Sequence, residues 1–339
     1  MSSYSASEKA LHKFYLSNYF ISRSSLEVEQ ILFGNKIKDL QVEAYVFISG
    51  LARSGTTALM RTLFATGEYA SLQYSNMPIL LSPNLWKKKL KLESRERAHG
   101  DGIKIDGNSP EEFDEYFWKA FLKDSYISDA LEVHEVPGDI LEKYQEYVKL
   151  ICHSKGKKKY ISKNNNNILR LDSLLELPNS RVIVLFRDPL SHAASLLKLH
   201  KSFSESQGED PFELDYFNYL GHHEFGLGHK PFLLREAFME EAAAYPKDTL
   251  DYWVFSWINY YEYLLSHLKE SIHLIAFEDL TTKPGEVYGR LENLLEPETG
   301  IPVPNRHTPS TYSGLSCSPE LKKRATGIYD QLKSKDLLS

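Results

Sequence analysis

Two patterns alternate along the chain: short unbroken apolar runs, and longer stretches in which apolar residues recur at helical spacing. Four runs read as strands buried on both faces: AYVFIS at 44–49, KYIS at 159–162, RVIVLF at 181–186 and IHLIAF at 272–277. Helical spacing fills the stretches 56–65, 169–177, 189–198 and 251–269. The last of these, DYWVFSWINYYEYLLSHLK, is rich in aromatics and predicts a helix packed on the sheet. Strand, helix, strand, helix in this order predicts an α/β fold with a central parallel sheet and right-handed crossovers. Ahead of the first strand, Leu11, Phe14, Tyr15, Phe20, Leu26, Ile31 and Leu32 predict one or two amphipathic helices, with Ser7 as N-cap. Residues 73–129 and 202–248 break the pattern and predict insertions over a binding cleft. From Gly300 the tail carries Pro302, Pro304, Pro309 and Pro319, which predicts an extended arm ending in a helix over 319–332. The chain is read as one domain over 1–339, with a helical segment to about residue 40, a core over about 44–295 and an arm over 300–339.

Composition narrows the class. With 42% hydrophobic, 12% aromatic and 25% charged residues in 339, the chain is too rich in core formers for disorder and too mixed for a fibre. Its net charge of −6 argues against wrapping nucleic acid, so any basic site is local. Two cysteines, Cys152 and Cys317, make neither a disulfide framework nor a zinc site, and fit a reducing compartment. No apolar run approaches a membrane span, and the first twenty residues lack a secretory pattern, so the expected location is the cytoplasm.

The sharpest chemical signal follows the first strand: Gly50-Leu51-Ala52-Arg53-Ser54-Gly55-Thr56-Thr57, opening a helix. Two glycines five apart at a strand-to-helix turn make a phosphate loop, in which free backbone N–H groups and the helix dipole face an anion. A Walker A loop has lysine after the second glycine, whereas this chain has Thr56 there and places a cation, Arg53, inside the loop. No strand ends in the aspartate that would hold Mg²⁺ in a nucleotide hydrolase; RVIVLF runs into Arg187 instead. In Arg187-Asp188-Pro189-Leu190-Ser191-His192-Ala193-Ala194-Ser195, an arginine at a strand's carboxyl end and a serine on the following helix can grip a second phosphate.

Together these two motifs closely resemble sulfotransferases that use 3′-phosphoadenosine-5′-phosphosulfate. GLARSGTTALMRTL is similar to the family's 5′-phosphosulfate loop, and Arg187 with Ser195, eight residues on, to its 3′-phosphate site. FEDL at 277–280 is similar to a later strand-to-helix element, and the likeness covers roughly residues 44–295. Within the family the chain most resembles bacterial enzymes with an arginine-type loop, shared with tyrosylprotein sulfotransferases. The resemblance implies a nucleotide-kinase-like P-loop fold, the phosphosulfate nucleotide as co-substrate, and no metal. It assigns Arg53, Ser54, Gly55, Thr56 and Thr57 to the phosphosulfate, Arg187 and Ser195 to the 3′-phosphate, and Lys163, at the end of KYIS, to the transferring group. The acceptor expected is a hydroxyl, on a carbohydrate; neither nucleic acid nor an integral membrane span is expected. The alternatives are a small-molecule kinase of the same fold and an inactive nucleotide-binding module.

Sulfonyl transfer needs cations at the leaving oxygen and a base at the acceptor. Arg53 and Lys163 are the expected cations. The base of cytosolic sulfotransferases, a histidine two residues after the lysine, is replaced by Asn165, and no carboxylate stands near Gln73, where tyrosylprotein and heparan enzymes keep a glutamate. The candidates left are His99 with Asp101, Glu111 or Glu112, and His222, His223 and Glu224. His99, oriented by Asp101, is the expected base because a neutral imidazole suits proton removal near pH 7. Glu111 and Glu112 follow Ser109-Pro110, an N-cap and N1 pattern that reads as a helix start. Zinc on His222, His223 and His229 is disfavoured for want of a spaced ligand set, and Trp253 and Trp257, four apart, read as core.

Overall fold

Side chains alternate along the central strands, and the alternation builds two apolar layers. The computed structural model describes residues 4–86, 95–96, 104–306, 312, 314 and 316–339. Five strands, β1 (Ala44–Ser49), β2 (Tyr69–Ala70), β3 (Lys159–Lys163), β4 (Ser180–Phe186) and β5 (Ile272–Ala276), form one parallel sheet in the order β2-β3-β1-β4-β5. Ten helices matter to the argument: α1 (Ala6–Leu16), α2 (Tyr19–Ile37), α3 (Thr56–Phe64), α4 (Glu115–Leu122), α5 (Gly138–Lys155), α6 (Pro189–Glu209), α7 (Pro211–Leu220), α8 (Leu250–Ser266), α9 (Pro284–Leu295) and α10 (Pro319–Lys333). Val46, Ile48, Ile183 and Leu185 pack with Leu59, Met60 and Leu63 of α3 and Leu291 of α9 on one face. Phe47, Val182, Val184 and Phe186 face the opposite layer, which holds Phe117 of α4, Tyr144 of α5 and Trp257 of α8. Burial on both faces is why these strands read as continuous apolar runs.

The order β2-β3-β1-β4-β5 puts β1 at the centre, with β3 and β4 as its parallel neighbours. Ile48 lies beside Lys163 and Ser49 beside Val184, so the chain leaves β1, β3 and β4 at one edge of the sheet, where open α/β sheets bind ligands. This is the expected α/β architecture, a central parallel sheet of P-loop type with helices on both faces. The predicted carboxyl-terminal helix is α10; beyond it the backbone of Leu337 donates to Leu274 O at 2.8 Å and covers the outer edge of β5.

Three expectations are corrected. The cap of α1 is Ser5, in a capping box with Glu8, rather than Ser7. Phe14, Phe20, Ile31 and Leu32 lie in solvent, Ile31 at 80% exposure, while His12, Ser22 and Glu29 face inward with Leu16 and Leu26. Helical spacing was right, but the buried face carries polar groups with long-range partners: Ser22 Oγ lies 2.7 Å from Tyr116 Oη, and Glu29 accepts from the Asn84 and Leu85 backbones at 2.6 and 3.0 Å. Finally, no helix begins at Ser109-Pro110; Ser109 Oγ turns back to Asp106, Glu111 and Glu112 stand before the helix, and α4 starts at Glu115.

Candidate active site

At the end of β1 the backbone turns through three left-handed residues, Gly50 (φ 140°), Arg53 (φ 73°) and Gly55 (φ 97°). A Cβ at Gly50 would sit 2.5 Å from Leu185 O, and one at Gly55 2.8 Å from the Phe277 ring, so both positions require glycine twice over. Gly55 is the N-cap of α3 and offers no side-chain bond, which leaves the first N–H groups of the helix to other acceptors. Ser54 is fully buried, and its hydroxyl has no hydrogen-bond partner among the described residues. Thr56 and Thr57 are buried at the helix start.

Helix α6 approaches this loop from the end of β4. Asp188 caps it by accepting from Ser191 N at 2.9 Å, and Pro189 occupies the first turn. From its first turns His192 Nε2 meets Ala52 O at 2.8 Å and Ser195 Oγ lies 3.4 Å from Arg53 Nε. Burial, reinforced by Arg187 and Arg53, pushes the His192 imidazole down to about 3, so it is neutral and donates from Nε2. Arg187 lies over the Phe277 ring at 4.6 Å. Burial lowers its pKa; Glu278 opposes this and Arg53 adds to it. Glu278 accepts from Asp188 N at 2.9 Å and from Tyr329 Oη of α10 at 3.1 Å. Arg53, Ser54, Gly55, Thr56, Thr57, Arg187 and Ser195 are thus brought to one sheet edge, and FEDL supports them.

A second constellation stands at the end of β3. Lys163 is buried and ion-paired with Glu112, whose other oxygen accepts from Asn165 N at 2.5 Å. Asn165 Nδ2 donates to Glu224 Oε1 at 2.9 Å, and His222 Nδ1 lies 3.8 Å from the same oxygen, an ion pair too long for a hydrogen bond. Burial pushes the Glu112 carboxyl up to about 7; Glu224 adds to this, and Lys163 and His222 oppose it. Burial acts the same way on Glu224, but His222, Lys163 and Asn165 hold it well below the usual range. The Tyr260 hydroxyl of α8 is 3.3 Å from Ser49 Oγ at the loop's root, and burial raises its pKa, with the Glu112 charge adding to the rise.

Three of the four asparagines, Asn164, Asn165 and Asn166, frame this constellation. Asn164 Nδ2 donates to Glu115 Oε2 at 2.7 Å, and Asn166 Nδ2 to Gly221 O at 3.2 Å. Behind them Arg170 grips Glu115 with two bonds of 2.7 and 2.9 Å, both side chains fully buried, between the Trp118 and Tyr126 rings. Asp114, bonded to Ser162 and to Tyr144, is pushed up by burial to about 6. Phe113, Tyr116, Phe117 and Trp118 carry this run of acids into the core.

Of the base candidates, His99 and Asp101 lie outside the described residues. Glu112, read as a helix start, lies instead beside Lys163. His223 and His229 are pinned by Gly228 O, His223 O and Tyr252 and do not join His222 as a ligand set. Glu112, His222 and Glu224 bring ligand-type atoms within 4.8 Å of one another, but the Lys163 ammonium bound to Glu112 makes the set a poor cation site. Trp253 and Trp257 are core. Among the described residues no helix is long and apolar enough to cross a membrane.

Similar solved structures include the sulfotransferase STF1 from Mycobacterium tuberculosis H37Rv (13% identity, 95% of this chain and 84% of that chain covered, TM-score 0.45). A sulfotransferase domain from the curacin biosynthetic pathway (16%, 86% and 98%, TM-score 0.41) and a sulfotransferase from Alicyclobacillus acidocaldarius (16%, 86% and 94%, TM-score 0.39) are also similar. Comparison with curated proteins returns no match. Residues 45–225, more than half of the chain, match the family model described as the sulfotransferase family, and the chain belongs to that family of sulfonate-transferring enzymes.

Proposed function

We propose that the protein transfers a sulfonate group from 3′-phosphoadenosine-5′-phosphosulfate to a hydroxyl of a carbohydrate acceptor. The observation that carries the donor is the convergence of two guanidinium groups, Arg53 and Arg187, across a loop whose buried Ser54 hydroxyl is without a partner among the described residues. Arg187 is buried and Arg53 half-buried, and two cations near enough for one to lower the other's pKa favour a multiply charged anion between them. Arg53, Ser54, Gly55, Thr56 and Thr57 hold the 5′-phosphosulfate, and Arg187 and Ser195 the 3′-phosphate. The donor's sulfonyl group needs no metal to be transferred.

In the reaction the acceptor oxygen bonds to sulfur as the sulfur–oxygen bond to the nucleotide phosphate breaks. Arg53 and Lys163 stabilise the charge that develops on the leaving oxygen. Glu112 takes the acceptor's proton. It is the buried carboxylate beside Lys163, with a pKa near 7 that matches a base working in neutral solution. The carbohydrate acceptor rests on the aromatic and histidine-rich insertions at 73–129 and 202–248, and a tyrosine, lipid or small-molecule hydroxyl is the competing acceptor.

The test is calorimetric titration with adenosine 3′,5′-bisphosphate and with ATP, both in EDTA, followed by radiolabelled sulfonyl transfer to a panel of saccharides. Metal-free binding of the bisphosphate in preference to ATP is expected, with label appearing on a sugar hydroxyl. ATP binding that requires Mg²⁺ would support the kinase instead. Comparing Glu112→Gln with His99→Ala identifies the base.

A further inference from the structure

Three separated segments place two carboxylates against one another at the end of β3: Glu112 ahead of α4, Glu224 after α7, and Asn165 between them. Asn165 reaches both, its backbone N–H to Glu112 Oε1 at 2.5 Å and its side-chain amide to Glu224 Oε1 at 2.9 Å. Glu112, His222 and Glu224 have side-chain atoms within 4.8 Å of one another. Glu224 is not needed to neutralise Lys163, which already pairs with Glu112. A second acid in so enclosed a place raises the cost of ionising the first.

We propose that Glu224 is a positioning residue for sulfonyl transfer: anchored by the Asn165 amide and charge-paired with His222, it holds its charge against Glu112 and thereby sets the pH range over which Glu112 can accept the acceptor's proton. This rests on the reading of Glu112 as the base. The groups that face Glu112 are Lys163 from β3, His222 and Glu224 from the loop after α7, Tyr260 from α8, and Glu111 beside it in the chain. Lys163 and His222 favour the Glu112 carboxylate, and Glu224 opposes it. The direction of the shift in Glu112 is the sum of burial and these opposed charges. Glu224 and His222 therefore act on the base with opposite signs, which a purely structural pair would not do.

The experiment is a carboxyl ¹³C NMR titration of the full chain labelled at glutamate side chains, with the Glu112 resonance assigned by its loss in Glu112→Gln. The wild-type midpoint is expected near 7. Glu224→Gln is expected to move the Glu112 midpoint down by about one unit, and His222→Asn to move it up. An unmoved midpoint in Glu224→Gln overturns the proposal. Should that variant fail to fold, an unmoved or lowered midpoint in His222→Asn overturns it equally. Calorimetry with adenosine 3′,5′-bisphosphate runs alongside: failure of the wild type to bind it counts against the functional reading, whereas binding with an unmoved Glu112 counts against the role of Glu224 alone.

Discussion

The two halves of the site are built on opposite plans. The proposed donor half is made of two contiguous motifs, 50–57 and 187–195, each at the end of a strand and the start of a helix, and the groups assigned to it are glycines, hydroxyls and arginines. The proposed acceptor half collects Glu112, Lys163, Asn165, His222 and Glu224 from separate segments, and the groups assigned to it are acids and bases whose charges depend on one another. A phosphate grip is local because backbone N–H groups at one helix terminus supply it. A tuned base is not local, since its pKa is set by whatever the fold packs against it.

The largest effect is expected in the acceptor half. Glu112→Gln should lower kcat by about 10²- to 10⁴-fold while leaving bisphosphate binding within about twofold, the loss expected of a weak hydrogen bond at most. In the wild type the sign of the pH dependence follows from the raised pKa. Below about pH 7 Glu112 already holds its proton, so kcat/KM should fall as pH drops through that value and level off above it. A flat profile would erase the contrast between the two halves.

Next comes the platform behind the acceptor half. Arg170→Ala leaves Glu115 buried without its cation and should cost about 3–5 kcal/mol in urea unfolding, because both side chains are fully buried. A loss under about 1 kcal/mol, the range of an exposed pair, would mean that the pair does not organise this half.

In the donor half the effects are smaller and fall on binding. Arg187→Ala should weaken adenosine 3′,5′-bisphosphate by about 10- to 100-fold, the range of one charge-assisted bond pair, while sparing nucleotides that lack a 3′-phosphate. Equal loss of both ligand types would move Arg187 out of the 3′-phosphate role. His192→Ala removes the bond that ties α6 to Ala52 O beside left-handed Arg53. It should weaken the bisphosphate about 2- to 10-fold, measured by the same titration, with kcat reduced no further than Arg53 placement demands.

The same contrast explains what the sequence disclosed. The strands, the glycine loop and the Arg187–Ser195 spacing were legible because each is set by residues within ten positions. Asn164–Asn167 read as low complexity, yet each of Asn164, Asn165 and Asn166 bonds to a partner 49 or more residues away. Glu112 looked like a helix-start acid because Ser109-Pro110 precedes it, and only the tertiary fold turns its carboxylate onto Lys163. The exposed Phe20 and Ile31 show the same limit, since polar Ser22 and Glu29 found partners inside and took the buried face. A hint was available in SPEEFDEYFWKAF, where acids alternate with large aromatics that must be buried.

The most direct test of the account is calorimetric titration of wild type, Arg187→Ala and Glu112→Gln with adenosine 3′,5′-bisphosphate in EDTA, with ATP as the competitor. The account predicts metal-free binding by the wild type in preference to ATP, a loss in Arg187→Ala, and retention in Glu112→Gln. Silence of the wild type toward the bisphosphate, or ATP binding that appears only with Mg²⁺, would contradict it.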